Sequence, residues 1–457
     1  MARPTKRQRR NGRHAPNQDV RPRGQGNDGD ATFSGDAVSS TVPASTPRDR
    51  PIPWRRNLYA VGAAQLLAII GFSLRAPFLP FYLGDLGVAS SESQALWSGL
   101  INAAGAGVMA ISAPFWGIIA DRRGRRPMLL RAMIASTFTI GLMGFATQPW
   151  HLLALRLVEG LLSGTVTAST TLVAATTPRP RLGYALGMVQ TAVFAGSSLG
   201  PLFGGLLADS IGPRATFGVA SGCLGTAALL VLFLVRERFV PPKPQPAAQP
   251  GDRRRWAGWQ AAVGFPLGQQ LLLLVLVLFV VRLASMAVQP IVPLFVRELA
   301  PNTTDLSSLS GLVLGVLGLT SALSAVYLGR LGDRRGHRRV LFASVIAAGI
   351  FYLPMAFVAH PWQLIALQAL FGVAAGGLIP SANTLVANLT PPERRGAIYG
   401  LTAAAAAMGG FIGPLAGAAI AAGFGFRAPF FGVAMLLLAL AVAVRSLRLR
   451  VASSEPD

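Results

Sequence analysis

The sequence predicts an all-α membrane protein with twelve transmembrane helices, arranged as two parallel, pseudo-symmetric six-helix bundles. Only 13% of its 457 residues are charged and 52% are apolar, so the charged fraction is about half that of a soluble protein. Apolar runs of about 20 residues recur along the chain, and each can cross a hydrocarbon core roughly 30 Å thick. The first half of the chain also recurs in the second half at a nearly fixed offset.

The apolar runs define twelve predicted spans, numbered here in chain order. Each is taken to be one transmembrane helix. Their predicted bounds are 58–83, 95–120, 128–147, 151–176, 184–208, 215–235, 269–296, 309–331, 340–359, 362–389, 397–421 and 427–446.

The segments outside the runs complete the predicted domain organisation. The first segment is basic, rich in Pro, Gly, Ser and Asn, and without the apolar core of a signal peptide, so we expect a disordered cytoplasmic tail. A Pro- and Arg-rich segment in the middle of the chain is the expected cytoplasmic linker. The predicted order is a tail at 1–56, an amino-terminal bundle at 57–235, the linker at 236–268, a carboxyl-terminal bundle at 269–446 and a tail at 447–457.

The distribution of basic residues argues against a nucleic-acid partner, despite a formal net charge of +23. With both termini in the cytoplasm, all but six of the 41 Lys and Arg residues fall on the cytoplasmic side. Three of the six lie in outer loops and three lie deep in spans. This is the positive-inside pattern of a multi-pass protein. We therefore expect the lipid bilayer of a bacterial inner membrane as the partner, and no nucleic acid.

The reactive residues exclude several kinds of chemistry. Neither lysine is followed by Ser or Thr, so no Walker A loop is present. Cys223 is the single cysteine and the four histidines are scattered, which argues against a disulfide or a metal site. Without a nucleophile, base or metal constellation, we expect no catalytic residues and no enzyme activity.

The internal repeat holds one register across six spans. Residues 117–126 recur as residues 329–338 at an offset of 212, and Gly200-Pro201 recurs as Gly413-Pro414 at an offset of 213. Because six spans return the chain to its starting side, the halves are parallel repeats. Such halves can rock against one another around a central site.

Two glycine-containing patterns lie at repeated positions. The first joins spans 2 and 3, where an aspartate with clustered arginines can hold its own loop or face the positive end of a neighbouring helix. Its residues are Gly117, Asp121, Arg122, Gly124, Arg125 and Arg126, with Asp333 and Arg334 in the second half. The second lies in span 5 and comprises Gly196, Gly200, Pro201, Gly204 and Gly205. Its smooth face permits close helix packing, and we expect it to meet Gly409, Gly413 and Gly417 along the interface of the halves.

These patterns resemble motifs A and C of the major facilitator superfamily, and Arg156 with Gly160 resembles its motif B. The resemblance covers about residues 54–448. Pro77-Phe-Leu-Pro80-Phe-Tyr and Gly425-Phe-Arg427 are most similar to bacterial drug:proton antiporters of the MdtG-like multidrug efflux subgroup. The resemblance implies that spans 1, 4, 7 and 10 line the cavity, that motif A is a latch for the cytoplasmic side and that motif C marks an antiporter.

Span 4 carries the principal candidate for proton coupling. Glu159 is the only acidic residue predicted deep within a span, and Arg156 lies three residues earlier on the same helix face. Ionisable residues in hydrocarbon are costly and indicate function by default. The repeat places Gln368 and Phe371 at the matching positions of span 10, so the fold does not require this pair. Glu159 and Arg75 both lie eight residues from the outer end, about 12 Å deep, so they can meet across the cavity.

Two interpretations of Glu159 and Arg156 stay open. Burial favours a protonated carboxyl and a nearby guanidinium favours the ionised form, so movement of an arginine could switch Glu159 between the two and couple export to proton uptake. Alternatively, the pair is a permanent structural salt bridge, with Arg156 reaching toward the outer surface.

The charges in the spans also indicate the substrate. Arg75 and Arg282, in spans 1 and 7, leave a positive excess that disfavours a purely cationic substrate. A small amphipathic compound that is anionic, zwitterionic or neutral fits better. Further candidates for the substrate cavity are Gln65, Gln289, Gln368, Asn383 and Phe371, although lipid contact or helix packing is the alternative for each.

The predicted function is therefore secondary active transport: multidrug efflux by drug:proton antiport through alternating access. The proton gradient supplies the energy without a cofactor, and we expect a monomer. One alternative is a proton-coupled importer or exchanger of an organic anion bound by Arg75 and Arg282. Another is a membrane receptor or scaffold that does not transport.

Overall fold

The computed structural model describes residues 54–237, 239, 269–390 and 395–445, with only the backbone of 269 and 395–397. Most of both predicted tails and of the linker therefore lie outside the described residues, and the domain bounds stay predictions. The described spans are helical: Trp54–Ser73 and Leu79–Asp85 (span 1), Ser91–Arg123 (2), Arg125–Met143 (3), Pro149–Leu162 and Thr165–Thr176 (4), Leu182–Ile211 (5), Pro213–Leu234 (6), Gln269–Val288 and Val292–Leu299 (7), Leu306–Arg335 (8), His337–Met355 (9), Pro361–Leu389 (10), Arg395–Phe424 (11) and Ala428–Arg445 (12).

All twelve predicted spans are helical, which is consistent with the predicted fold class. Ten helical segments within the described residues are long and apolar enough to cross a membrane. The exceptions are spans 1 and 3. Span 1 begins near Arg56 and Asn57, and span 3 carries Arg126 and Arg131, so polar residues lower the mean hydropathy of their inner ends.

Spans 1 and 7 were predicted as continuous helices, but each is interrupted at a proline. The helix of span 1 is broken over residues 74–78, which include Pro77, and that of span 7 over residues 289–291, which include Pro290. Proline lacks an amide hydrogen and its ring clashes with the preceding helical turn. Because Pro77 and Pro290 occupy matching positions of the repeat, the two bundles are interrupted symmetrically.

The buried apolar side chains form two separate cores. One contains residues of spans 1 to 6 only, and the other contains residues of spans 7 to 12 only. Aromatic contacts occupy similar places in both: the rings of Phe78 and Phe217 lie 5.2 Å apart in the first core, and those of Phe295 and Phe430 lie 4.9 Å apart in the second.

The two sets of spans contact each other in their outer halves, away from the side on which span 1 begins. Span 5 packs closely against span 8, where Gly205 lies against the backbone of Ser307. Span 2 packs in the same way against span 11, where Gly99 lies against Pro414. Glycine at these positions permits contact between backbones, which a larger side chain would prevent.

Polar contacts reinforce this outer interface. The carboxylate of Asp209, at the end of span 5, accepts hydrogen bonds from the backbone amides of residues 307 and 308 at 3.3 and 2.7 Å. These amides begin the helix of span 8, so Asp209 satisfies donors that the helix leaves free. Arg297 donates to the side chains of Ser91 and Gln94 at 2.7 and 2.9 Å.

The inner halves of the same spans are apart. At Gly187 of span 5, Gly329 of span 8 and Gly400 of span 11, a Cβ atom would meet no described neighbour within 4 Å outside its own helix. The close contacts between the bundles at these spans therefore lie in the outer halves, which is the arrangement expected of an inward-open state.

The expected meeting of the two glycine faces is wrong. Gly196, Gly200 and Gly204 pack against Ile69, Ser73 and Leu74 of span 1, and Gly409, Gly413 and Gly417 pack against residues 279–287 of span 7. Each face thus joins two spans of its own bundle, because close approach is needed where the interrupted span must be held. Of the span 5 pattern, Gly205 and the backbone carbonyl of Pro201 face the other bundle, where they lie against Ser307 and Gly311 of span 8.

Candidate functional site

A buried carboxylate lies between two arginines near the middle of span 4. Glu159 is in the last turn of the helix Pro149–Leu162, and its side chain is 3% exposed. Its Oε1 lies 2.8 Å from Nη1 of Arg156 and 3.4 Å from Nη1 of Arg75, so the expected meeting of spans 1 and 4 occurs. Its Oε2 has no hydrogen-bond partner among the described residues. One carboxylate oxygen thus holds both guanidinium groups while the other is free to take a proton or a donor.

The interruption of span 1 places Arg75 beside Glu159. Arg75 belongs to residues 74–78, and the preceding residues Ser73 and Leu74 lie against Gly200 and Gly204 of span 5. The absence of a side chain at Gly204 lets the Leu74 carbonyl approach the helix of span 5 closely. The span 5 glycines therefore fix the backbone that carries Arg75.

A glycine of span 2 makes space for the guanidinium group of Arg156. A Cβ atom at Gly105 would lie 2.9 Å from Cζ of Arg156, so this guanidinium packs directly on the backbone of span 2. Gly160, next to Glu159, also lies against the backbone of Gly105. Two facing glycines thus bring spans 2 and 4 together around the charged pair.

Span 4 was predicted as one helix, but it breaks just beyond Glu159. The first helix ends at Leu162 and the second begins at Thr165, with Gly164 between them at φ 124°. This backbone conformation is accessible to glycine and rare for other residues. Span 10 is continuous at the matching positions, so the break belongs to the half that carries the carboxylate.

Side chains of spans 2 and 3 donate hydrogen bonds to the carbonyl groups that the break leaves without helical partners. The hydrogen bonds are Ser112 Oγ to the Gly160 carbonyl (3.3 Å), Trp116 Nε1 to that of Leu161 (2.6 Å) and Arg131 to that of Ser163 (3.5 Å). Arg131 Cζ also lies 3.3 Å from the centre of the Trp116 ring. Sequence reasoning missed Trp116 and Arg131, although Ser163-Gly164 in an apolar run was a signal for a break.

Arg282 is a separate cation on span 7. Its side chain is exposed, it makes no hydrogen bond or ion pair within the described part of the chain, and it lies against Gly409 and Gly410 of span 11. The structure therefore does not join Arg282 to the Arg75–Glu159–Arg156 cluster. A guanidinium without a described partner can bind an anionic group.

The other candidates for the substrate cavity differ in how deeply their side chains are buried. Gln65 is fully buried and accepts a hydrogen bond of 2.7 Å from Ser169. Phe371 packs edge-on against Tyr352 in the carboxyl-terminal core, with ring centres 4.5 Å apart. Gln368 is buried, Gln289 is half-buried and Asn383 is exposed. Gln368 Oε1 and Gln65 Nε2 are buried and have no hydrogen-bond partner among the described residues.

The motif A aspartates are exposed in this state. Asp121 has no hydrogen bond or ion pair among the described residues, whereas Asp333 lies 3.0 Å from His337. Glu237, which sequence reasoning missed, makes the contact expected of Asp121: it accepts from the backbone amides of Arg125 and Arg126 at 3.0 and 2.7 Å. Gly124 at φ 94° starts the helix beside it. The remaining motif residues are exposed, as at Gly117, Arg122 and Arg334, or half-buried, as at Arg125 and Arg126.

A family model and curated relatives agree with the family that the sequence motifs resemble. A family model described as Major Facilitator Superfamily matches residues 61–307 and 274–457. The multidrug resistance protein MdtG of Citrobacter koseri is 39% identical over 394 residues, which cover 86% of this chain and 95% of that protein. MdtG of Serratia proteamaculans is also 39% identical, over 87% of this chain and 94% of that protein.

Solved structures share the fold at lower identity. A bacterial homologue of the human lysosomal transporter Spinster, in an inward-facing and occupied conformation, matches with a TM-score of 0.69 and 14% identity over 86% of this chain and 96% of its own. The human organic anion transporter TETRAN matches with a TM-score of 0.63 and 21% identity over 86% of this chain and 100% of its own.

Proposed function

Since this chain belongs to the major facilitator superfamily and is a secondary transporter rather than an enzyme, we propose that it exports small amphipathic compounds in exchange for protons. The observation that carries the proposal is the buried Glu159 carboxylate between Arg75 and Arg156. A buried ionisable group in a transporter span is costly unless it is used. The relatives named as multidrug resistance proteins support export of drug-like compounds.

In the proposed cycle, Glu159 changes its protonation state as the bundles rock. In the inward-open state the carboxylate is ionised and holds both arginines. When the outer side opens, a proton from that side binds Glu159 Oε2, and the loss of negative charge weakens the ion pairs to Arg75 and Arg156. After return to the inward-open state, the proton leaves to the cytoplasm as substrate binds and the ion pairs form again.

The charges of the cavity suggest the substrate class. Arg75 and Arg156 share one carboxylate, and Arg282 has no described partner, so the surroundings keep a positive excess. An amphipathic compound that is anionic, zwitterionic or neutral fits this excess better than a cation. The structural match to a protein titled an organic anion transporter supports the same choice at the level of fold only.

The import or exchange of an organic anion by Arg75 and Arg282 together is the second candidate. It is less well supported, because Arg75 is engaged by Glu159 while Arg282 lies apart from that cluster. The receptor or scaffold alternative is set aside, since members of this family transport solutes. The proposed setting is a monomer in a bacterial inner membrane, with both termini in the cytoplasm.

Glu159→Gln tests the proposal. In liposomes with an imposed pH gradient, we expect this variant to lose active export, because glutamine cannot release a proton, and to retain exchange of substrate without a gradient. Glu298→Gln is the matched control, because Glu298 pairs with Arg427 at 3.2 Å and both side chains are about two-fifths exposed. Active export by Glu159→Gln at the rate of this control would show that the proton carrier is another group.

A further inference from the structure

A groove lies in the inner half of the carboxyl-terminal bundle, remote from the charged cluster of span 4. Its volume is about 610 Å³, within the range of small-molecule sites. Spans 8, 9 and 10 form it. Its walls are apolar, from Leu328, Leu331, Ala343, Ala347, Phe351 and Val373, and Arg335 and Arg339 lie at its inner end.

The groove opens toward the membrane rather than toward the space between the bundles. Span 9, which forms one wall, packs mainly against spans 10 and 12 of its own bundle. On span 8, Leu328, Leu331 and Arg335 lie on the helix side that faces span 10, about 140° from the face with Gly315 and Gly318 that meets span 5. The groove is therefore turned away from the other bundle, toward the side of the molecule that the bilayer would cover.

The dimensions of the groove match one leaflet. From Arg339 to Phe351 the helix of span 9 rises about 18 Å, and one leaflet contributes about 15 Å to a hydrocarbon core roughly 30 Å thick. In a bilayer the two arginines would lie where the inner headgroups begin. Both are exposed, and neither side chain makes a hydrogen bond or ion pair within the described ranges. A phosphate group would accept charge-assisted hydrogen bonds from both guanidinium groups.

The repeat indicates that the opening is specific to one half. At the matching positions of the amino-terminal bundle, Leu328 and Ala343 are replaced by Trp116 and Arg131, which stack on each other and bond to the broken helix of span 4. Span 10 is an unbroken helix at these positions, and its Gly372 carbonyl accepts hydrogen bonds from Ser321 and Ser324 of span 8 at 3.0 and 3.4 Å. The smaller residues of the second half leave the space empty instead.

We propose that this groove binds one anionic phospholipid of the inner leaflet. Its phosphate lies between Arg335 and Arg339, and one acyl chain lies along the apolar wall toward Phe351. Basic sites between transmembrane helices on the cytoplasmic side are suited to such headgroups. The proposal concerns a structural lipid and does not depend on the transported substrate.

The test is native mass spectrometry of the full chain in detergent, titrated with phosphatidylglycerol or phosphatidylcholine. We expect the wild type to bind one phosphatidylglycerol in preference to phosphatidylcholine. The double variant Arg335→Gln, Arg339→Gln should bind phosphatidylglycerol on the order of tenfold more weakly. The control Arg123→Gln, Arg179→Gln removes the same charge from exposed sites outside the groove and should bind as the wild type does. Equal weakening in both double variants would overturn the proposal.

Ala343→Trp separates a phospholipid from a soluble anion. The tryptophan side chain fills the groove and leaves both arginines in place. Position 343 is exposed, so the helix can accept the larger residue. If the Ala343→Trp variant fails to fold, Ala347→Phe is used in its place. We expect phosphatidylglycerol binding to be lost. Unchanged binding would place the lipid elsewhere, and displacement of phosphatidylglycerol by an equal concentration of glycerol phosphate would assign the arginines to soluble anions. An increase in lipid affinity on neutralising Glu455 and Asp457 would assign the groove to the chain's own tail instead.

Discussion

At the scale of single residues, the arginines of the spans differ in whether the guanidinium has a partner. Arg75 and Arg156 share the carboxylate of Glu159, and Arg131 stacks on Trp116. Arg282 has no partner in the described part of the chain and its side chain is exposed. The same residue type is therefore ion-paired, stacked on an aromatic ring or without a described partner in one molecule.

Arg282→Gln should weaken binding of anionic substrates by about tenfold, because one charge-assisted hydrogen bond is lost. A neutral amphipathic substrate should be affected much less. The measurement is inhibition of counterflow in liposomes by an anionic and a neutral compound of similar size.

Arg282→Lys is the control for this prediction. It retains the positive charge and should restore most of the affinity for the anion. Equal inhibition by the anion in the wild type and in Arg282→Gln would remove Arg282 from the substrate site.

The sequence predicted some of these residues and not others. Glu159, Arg156 and Arg75 could be found because a charge in an apolar run is conspicuous, and helix rise placed two of them at one depth. Phe371 could not be placed, because the sequence does not say which side of a span faces the core. Glu237 was missed because the helix end that it caps is 112 residues away along the chain.

At the scale of elements, the broken helix of span 4 is the feature that the span predictions lacked. Hydropathy identifies a run of apolar residues but does not say whether the helix within it is continuous. Glu159 lies in the last turn before the break, so the stability of that helix end determines where the carboxylate lies. Trp116 and Arg131 support this end from the neighbouring spans.

Arg131→Ala should lower the free energy of unfolding by about 1–3 kcal/mol, because the Ser163 carbonyl loses its donor and the Trp116 ring loses its cation. Thermal unfolding of the purified protein in detergent measures the change. Arg123→Ala is the control, since Arg123 is exposed and has no hydrogen bond among the described residues.

A double-mutant cycle isolates the pair. In the Arg131→Ala background, Trp116→Leu should cost less than it does in the wild type, because the stacking is already lost. Additive losses would mean that the two side chains support span 4 independently.

At the scale of the whole molecule, the twelve spans, their order and the symmetry of the halves could be predicted from hydropathy and the repeat. The state of the transporter could not, because both states use the same sequence and differ only in which interface is closed. Outer contacts such as Asp209 with the span 8 amides are formed here, while Asp121 on the inner side has no described partner. We propose that the inner contacts form when the outer ones separate.

Two aspartates should accordingly shift the equilibrium in opposite directions. Asp209→Ala removes a helix cap worth about 1 kcal/mol and should raise the outward-open population about fivefold. Asp121→Asn should weaken the latch of the outward-open state, so the protein would insert normally but transport more slowly.

The probe is a single thiol, introduced by Ser198→Cys in a Cys223→Ser background. The measured quantity is the rate at which this thiol reacts with an impermeant thiol reagent from the outer side. Ser198 is buried against Gly318 in the present state.

Asp305→Ala is the matched control, because Asp305 lies at the same end of span 8 and makes no capping hydrogen bond. It should leave the labelling rate unchanged, while Asp209→Ala raises it and Asp121→Asn lowers it. These signs follow from which interface each carboxylate serves, and a general loss of packing would instead raise labelling in all three variants. If Asp209→Ala labels no faster than Asp305→Ala, the cap on span 8 does not contribute to outer closure and the glycine contacts alone must hold that side shut.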